Sequence, residues 1–301
     1  MKKKLNISVV CATHEGKKKI KNLIISIYNN YIWPREIVVC GTSQLDLINV
    51  PSKIRNTLNI KFIFSKKKGQ VHQRQKAIEK STSDYILQID DDVTVAPNFF
   101  SKLEKYVKNK KILTKFVISA LIIQNNKSLQ AGTWNIIYRK YFLFRLIIYF
   151  LNGGKKIKEY SILKSGRCIP YIRNFHKKKI SSIKKLEWLC STIMYHKNCR
   201  KVVKDYIQKS EKAFYEDVFF SHQLYLNGYV LLIDTNVIGI HDNQPYTSIK
   251  TYFKTLKTQY FIVRFFKKSL FFFYIDVAIF TFIHSLRDIF KNLFFMKQNK
   301  L

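Results

Sequence analysis

The sequence predicts an α/β fold with strands laid parallel in one sheet. Three observations carry that expectation. Short β-rich runs alternate with stretches of helical periodicity over roughly the first 115 residues. Each β-rich run stops at a polar or glycine-bearing turn. The chain has 301 residues, 47% of them hydrophobic, which is enough for a sizeable core.

Ile7-Ser8-Val9-Val10-Cys11-Ala12 is the first strand and ends at Thr13-His14-Glu15-Gly16. The basic start Met1-Lys2-Lys3-Lys4 is followed by too short an apolar run for a signal peptide, so a buried strand is the better reading. From Lys18 to Asn29, Ile20, Leu23, Ile24, Ile27 and Tyr28 recur at helical spacing until Pro34. Glu36 to Cys40 is a second strand, stopped by Gly41-Thr42-Ser43, and Ile60 to Phe64 a third. Val71 to Lys80 reads as a helix. Asp84 to Ile89 is a fourth strand that runs into Asp90-Asp91-Asp92. Ligands of such sheets gather at the carboxyl ends of strands, where these polar turns fall.

Later the pattern changes. Trp134 to Leu151 is aromatic but interrupted by Arg139, Lys140 and Arg145, which suits a basic helix lying in a membrane interface. Asn152-Gly153-Gly154 ends it, and Lys155 to Lys185 is basic and loop-like. Leu186 to Tyr195 is apolar, and Tyr229 to Ile240 is another strand. Ser269 to Ser285 carries only Asp276 as a charge and is marginal in length for a span, which needs ~20 apolar residues. An interfacial or docked helix fits it better.

Lys plus Arg number 54 and Asp plus Glu 19, a formal net charge of +35. Such a field attracts polyanions, and the aromatics beside the basic runs favour anionic lipid over nucleic acid. The five cysteines form no C-x-x-C pair, which argues against a zinc site or disulfide framework and for a reducing cytosol.

Three features can carry chemistry. Asp90, Asp91 and Asp92 repel one another unless a cation sits among them, and alternation along an extended segment would put Asp90 and Asp92 on one side. Mg²⁺ or Mn²⁺, which prefer oxygen ligands shared with phosphates, suit that pair. Glu216-Asp217 opens a helical segment from Val218 to Leu226 and, taken alone, reads as a capping pair. His241 follows a strand directly and can complete a carboxylate-plus-imidazole metal site.

Order and spacing join these features. The chain reads Ile89-Asp90-Asp91-Asp92, Glu216-Asp217, Gly228-Tyr229, a strand and then His241. This resembles the family 2 glycosyltransferases. The opening strand and turn through Glu15 resemble the family's first motif, and Gly69-Gln70-Val71-His72-Gln73-Arg74-Gln75 resembles its Gly-x-x-x-Ala-Arg-Asn segment. Glu187-Trp188-Leu189-Cys190-Ser191 is similar to its acceptor-side stretch. The resemblance covers about residues 5 to 245. The chain departs from the pattern at Cys40-Gly41-Thr42-Ser43, which has no carboxylate, and at Gln75 and Ser191.

The resemblance implies a GT-A fold, a Rossmann-like mixed sheet flanked by helices. The apolar and basic residues beyond it add the expectation of a helical membrane-associating tail at 246–301. It implies a nucleotide-sugar half at 1–115 and an acceptor half at 116–245. Thr13 and Glu15 are expected against the nucleotide, Arg74 near the diphosphate, and Asp90 and Asp91 at the donor. Asp90, Asp92 and His241 are expected at Mn²⁺ or Mg²⁺. Asp217 is expected as general base with Glu216 beside it. The implied activity is inverting transfer from a nucleotide-diphosphate sugar to a saccharide or lipid-linked acceptor in surface polysaccharide synthesis, on the cytoplasmic face of an anionic membrane and without nucleic acid. Charge alone also admits a nucleic-acid binder, though no recognition motif is present, and clustered carboxylates also admit a phosphohydrolase or nucleotidyltransferase.

Overall fold

Lys4–Ala12, all but wholly buried after its first residues, forms strand β1 near the middle of a mixed sheet. The computed structural model describes residues 2–14, 16–109, 115–124, 128–129, 140–158, 160–169, 183–189, 192–204, 215–241 and 249–298. The remaining strands are β2 (Trp33–Gly41), β3 (Ile60–Phe64), β4 (Tyr85–Gln88), β5 (Val93–Val95), β6 (Phe116–Gln124), β7 (Ser128–Leu129), β8 (Ser161–Ile162), β9 (Cys168–Ile169), β10 (Ile183–Lys185), β11 (Ile193–His196) and β12 (Val230–His241). The helices are α1 (Lys17–Tyr28), α2 (Ser52–Thr57), α3 (Gln70–Lys80), α4 (Phe99–Lys108), α5 (Phe142–Leu151), α6 (Arg200–Lys204), α7 (Glu216–Leu226), α8 (Ile249–Phe265) and α9 (Leu270–Gln298).

The main sheet runs β10-β12-β6-β11-β4-β1-β2-β3, with β5 added to β12 and β7 to β6. β3, β2, β1 and β4 are parallel, as the strand–helix alternation requires. Antiparallel β11 then lies between β4 and β6, which makes the sheet mixed. β2 begins earlier than expected, at Trp33. Pro34 is tolerated there because it sits at the start of the strand. The segment 155–185, read as loop, contributes the hairpin β8–β9 and strand β10. Runs of two or three residues are too short for periodicity to reveal.

The first unit comprises residues 1–132 and 174–243. Helix α1 buries Ile20, Leu23, Ile24 and Ile27, the stripe its spacing forecasts. Glu36 is wholly buried on β2 and accepts bonds from Ser8 Oγ (2.5 Å), Lys61 Nζ (2.6 Å), and Thr82 N (2.6 Å). Burial opposes its charge, but these donors hold its carboxyl down at about 2. β12 slips register between Asp234 and Ile238. Buried Asp234 is satisfied there by Tyr106 Oη (2.6 Å), Lys105 Nζ (2.8 Å) and Asn236 N (2.9 Å). Such irregularities bend a strand and re-aim its end. Beyond this one, β12 pairs with β5 as well as β6.

The second unit comprises residues 133–173 and 244–301, so the aromatic segment around α5 groups with the C-terminal residues rather than with residues 1–132. Its core contains Ile148, Leu151, Ile157, Leu163, Ile169 and Phe280. Asp276, buried on α9, accepts from Arg167 Nε (2.9 Å) and Ser165 Oγ (2.9 Å), while Arg167 sits 3.5 Å from the Phe280 ring centroid. Among the described residues, no helix is long and apolar enough to cross a membrane.

Candidate active site

β4 ends at Gln88, and Val93 N donates to Asp90 O at 3.2 Å. Asp90, Asp91 and Asp92 therefore lie at a turn, not along an extended strand. Alternation does not set Asp90 and Asp92 side by side, and the three carboxylates go to three different sets of partners. Asp90 Oδ1 accepts from Arg74 Nη2 (2.6 Å) and Gln70 Nε2 (3.1 Å). Asp91 Oδ2 accepts from Thr13 Oγ1 at 2.7 Å. Asp92 Oδ1 lies 3.3 Å from His241 Nε2, and its Oδ2 3.6 Å from Lys19 Nζ. Burial pushes Asp91 up to about 6, with Thr13 opposing and Asp92 and Asp90 adding to the rise. Burial also works against the Asp92 charge, but His241 and Lys19 hold that carboxyl below the ordinary range.

The backbone dictates the Asp92–His241 meeting. β12 runs antiparallel to β5 with His241 opposite Val93, the residue after Asp92. Gly239 allows the approach, since a Cβ there would stand 2.8 Å from Ile122 Cδ1 and 3.1 Å from Val93 Cγ1.

Glu216 and Asp217 open α7 after Tyr215, whose left-handed backbone (φ 56°) is a costly conformation for an aromatic residue. Arg74 Nη1 donates to Glu216 while Nη2 holds Asp90, so one guanidinium joins two segments far apart in sequence. Both Arg74 and Glu216 are buried. Burial opposes the Arg74 charge, but Glu216 and Asp90 raise its affinity for the proton above the usual value. Asp217 lines a small open cleft with Val71, Arg74, Gln75, Gln88, Glu216 and Phe220 among its walls. Asp92 and His241 are not in that lining. Burial raises the Asp217 carboxyl to about 7, helped by the charges of Glu216 and Asp90. Ser221 Oγ donates to Asp217 O at 2.6 Å and accepts from Leu189 N at 2.9 Å, which ties the Trp188-Leu189 stretch to the start of α7.

Thr13 is buried at the end of β1, and its N donates to Cys40 O at 2.9 Å. Gln73 Nε2 clamps the same strand ends by donating to Thr13 O (2.8 Å) and Cys40 O (3.3 Å). A Cβ on Gly16 would stand 2.5 Å from both Asp91 Oδ2 and Thr13 Oγ1. Glu15, Cys190 and Ser191 lie outside the described residues. Gln70, Gln73 and Lys19 were not singled out by sequence. Gln70 and Gln73 sit four and one positions before Arg74, and the i, i+4 spacing of Gln70 and Arg74 was the available signal. Nothing in the sequence marked Lys19 among its neighbouring lysines.

Asp92 and His241 offer one carboxylate oxygen and one imidazole nitrogen. Among the described residues no three His, Cys, Asp or Glu side chains are grouped as metal ligands. Two protein donors fit Mg²⁺ or Mn²⁺, which take remaining ligands from phosphate and water. Asp90, expected to share that ion, accepts through Oδ1 from Arg74 and Gln70.

A sequence model described as "Glycosyl transferase family 2" matches residues 8–178. Similar solved structures include S. aureus TarS 1-349 in complex with UDP-GlcNAc, at TM-score 0.54 and 15% identity, covering 87% of this chain and 66% of that one. S. aureus TarS 1-349 itself gives 0.52 and 16%, covering 87% and 65%. GalNAc-T7 with UDP, GalNAc and Mn²⁺ gives 0.56 and 15%, covering 84% and 48%. The chain thus spans just under two-thirds of the TarS fragment and about half of GalNAc-T7. The likeness is one of fold. No curated protein sequence matches the chain.

Proposed function

The chain belongs to glycosyl transferase family 2, with a mixed sheet consistent with the GT-A fold, and from that premise we propose that it moves a sugar from a nucleoside-diphosphate sugar to an acceptor hydroxyl with inversion. The acceptor we infer is a saccharide or a lipid-linked saccharide of bacterial surface polysaccharide synthesis, met on the cytoplasmic face of an anionic membrane. One observation carries the reading: Arg74 binds Asp90 and Glu216 together, so the acidic turn and the pair that opens α7 belong to one charged assembly.

Asp217 is the general base. A carboxyl pushed to about 7 is poised to take a proton near neutral pH. It receives the acceptor hydroxyl proton as that oxygen bonds to the anomeric carbon. The bond from that carbon to the diphosphate oxygen breaks, and its electrons leave with the nucleoside diphosphate. One displacement by one base inverts the centre. Glu216 holds Arg74, and Arg74 fixes the spacing between base and acidic turn. Thr13, Glu15 and Asp91 form the nucleotide end, within residues 1–115, and residues 116–245 supply the acceptor half. Asp92 and His241 would hold Mn²⁺ or Mg²⁺, which supplies charge neutralisation to the departing diphosphate when bound. Asp90 braces Arg74.

The test is a screen of nucleotide sugars, beginning with UDP-sugars, for release of nucleoside diphosphate with and without saccharide acceptors, with Asp217→Asn as control. Acceptor-dependent release that the substitution removes supports the reading. Release of inorganic phosphate or pyrophosphate in its place, or release untouched by the substitution, sinks it.

A further inference from the structure

Helix α5 is apolar nearly all the way round, with Arg145 its one charge. Ile148 and Leu151, with Phe144 and Ile147, face the core of the second unit. Phe142, Leu143, Leu146, Tyr149 and Phe150 face outward and are exposed, Leu143 by 69%. That is a second complete stripe at helical spacing. Helix α9 repeats the arrangement. Phe271, Tyr274, Ala278, Phe282 and Leu286 recur every three or four residues on its exposed side, about 22 Å from end to end at 1.5 Å per residue. The two stripes adjoin, because the Phe150 ring meets Phe272 at 5.5 Å and Phe272 meets Phe271 at 5.4 Å. On α8, exposed Phe253, Tyr260, Phe261 and Phe265 alternate with exposed Lys257 and Arg264.

Charge decides what covers this face. The second unit holds nineteen lysines and arginines against three acidic residues, Glu159, Asp276 and Asp288. Asp276 is buried against Arg167 and shows no charge outward. Two copies of so basic a surface repel each other, whereas an anionic bilayer attracts it and receives the aromatics. We propose that the outward stripes of α5 and α9 form one face that lies flat in the interface of an anionic phospholipid bilayer, with exposed Lys257 and Arg264 of α8 adding to the positive charge that attracts it. It needs no spanning helix. The assignment rests on the reading of the protein as a peripheral membrane transferase and names the surface that makes it one.

The experiment is co-sedimentation of the full chain with phosphatidylcholine vesicles, plain or carrying about 30% phosphatidylglycerol. Binding to the anionic vesicles is expected to be about tenfold tighter or more, and to weaken in high salt. Leu143→Asp with Phe282→Asp is expected to reduce it about tenfold or more, with the circular dichroism spectrum unchanged. Salt dependence of the unaltered protein needs no variant. Equal binding to both vesicle types, undiminished binding by the double variant, or a self-associated species that the double variant dissociates while vesicles go unbound, each overturns the proposal. Asp217→Asn is expected to bind vesicles as the parent does. Vesicle binding without any sugar transfer would end the transferase reading and leave this face standing; transfer to a soluble acceptor without vesicle binding would do the reverse.

Discussion

His241 Nε2 stands 3.3 Å from Asp92 Oδ1, and strand pairing rather than side-chain reach puts it there, since His241 lies opposite Val93 on β5. Sheet register fixes where the backbone of His241 lies relative to β5, and its ring completes a two-donor pair with Asp92.

Asp92→Asn and His241→Ala are each expected to weaken Mn²⁺ binding about tenfold or more, read by the electron paramagnetic resonance signal of free Mn²⁺ with nucleoside diphosphate present. Chelation is expected to stop transfer and added Mn²⁺ or Mg²⁺ to restore it. Full activity in chelator removes the metal role.

Asp217→Asn is expected to lower kcat about 10²- to 10⁴-fold while donor affinity stays near that of the parent. In the unaltered enzyme kcat/KM is expected to rise with pH and level off above about 7, because the base works only when deprotonated. Stability runs the other way. A folded pKa raised above the unfolded value gives stability that is full below about 3.8 and lost as pH climbs through about 7. The Asn variant is therefore expected to melt higher than the parent at pH 8. A flat pH profile contradicts the assignment.

Arg74→Ala leaves buried Glu216 and half-buried Asp90 without their shared cation, and is expected to cost about 3–5 kcal/mol in urea unfolding. Arg74→Lys keeps the charge but not the fork, so an intermediate loss is expected. Equal stability of all three proteins means that the bridge does not hold the segments together.

The reading of the sheet from sequence succeeded where periods were long. Ile20, Leu23, Ile24 and Ile27 announced α1, and the buried run through Ala12 announced β1. Asp90, Asp92, Glu216, Asp217 and His241 stand out in the sequence by type, order and spacing. Their pairing was not. Whether Asp90 meets a metal ion or Arg74 depends on a turn after Gln88 and on burial of a residue far along the chain. Gln73 looks like any surface glutamine until the ends of β1 and β2 are seen to need its amide. The antiparallel insertion of β11 was hidden too, because four residues carry no signal of strand direction.

Glu36→Gln is expected to destabilise the protein by about 3 kcal/mol at pH 7, since a carboxyl held at about 2 in place of 4.5 corresponds to roughly that much. The folded pKa is depressed, so this stability is present above about 4.5 and lost as pH falls toward about 2. Parent and variant melting curves are expected to converge with acid. A constant gap down to pH 3 assigns the loss to packing instead.

The irregular register of β12 has a consequence for how the protein is made. A ribosome extrudes the acidic turn early and the strand that answers it late. Until β12 has left the exit tunnel and bent at Asp234, the nascent chain has no imidazole to set beside Asp92. The Asp92–His241 pair is therefore complete only once β12 has joined the sheet.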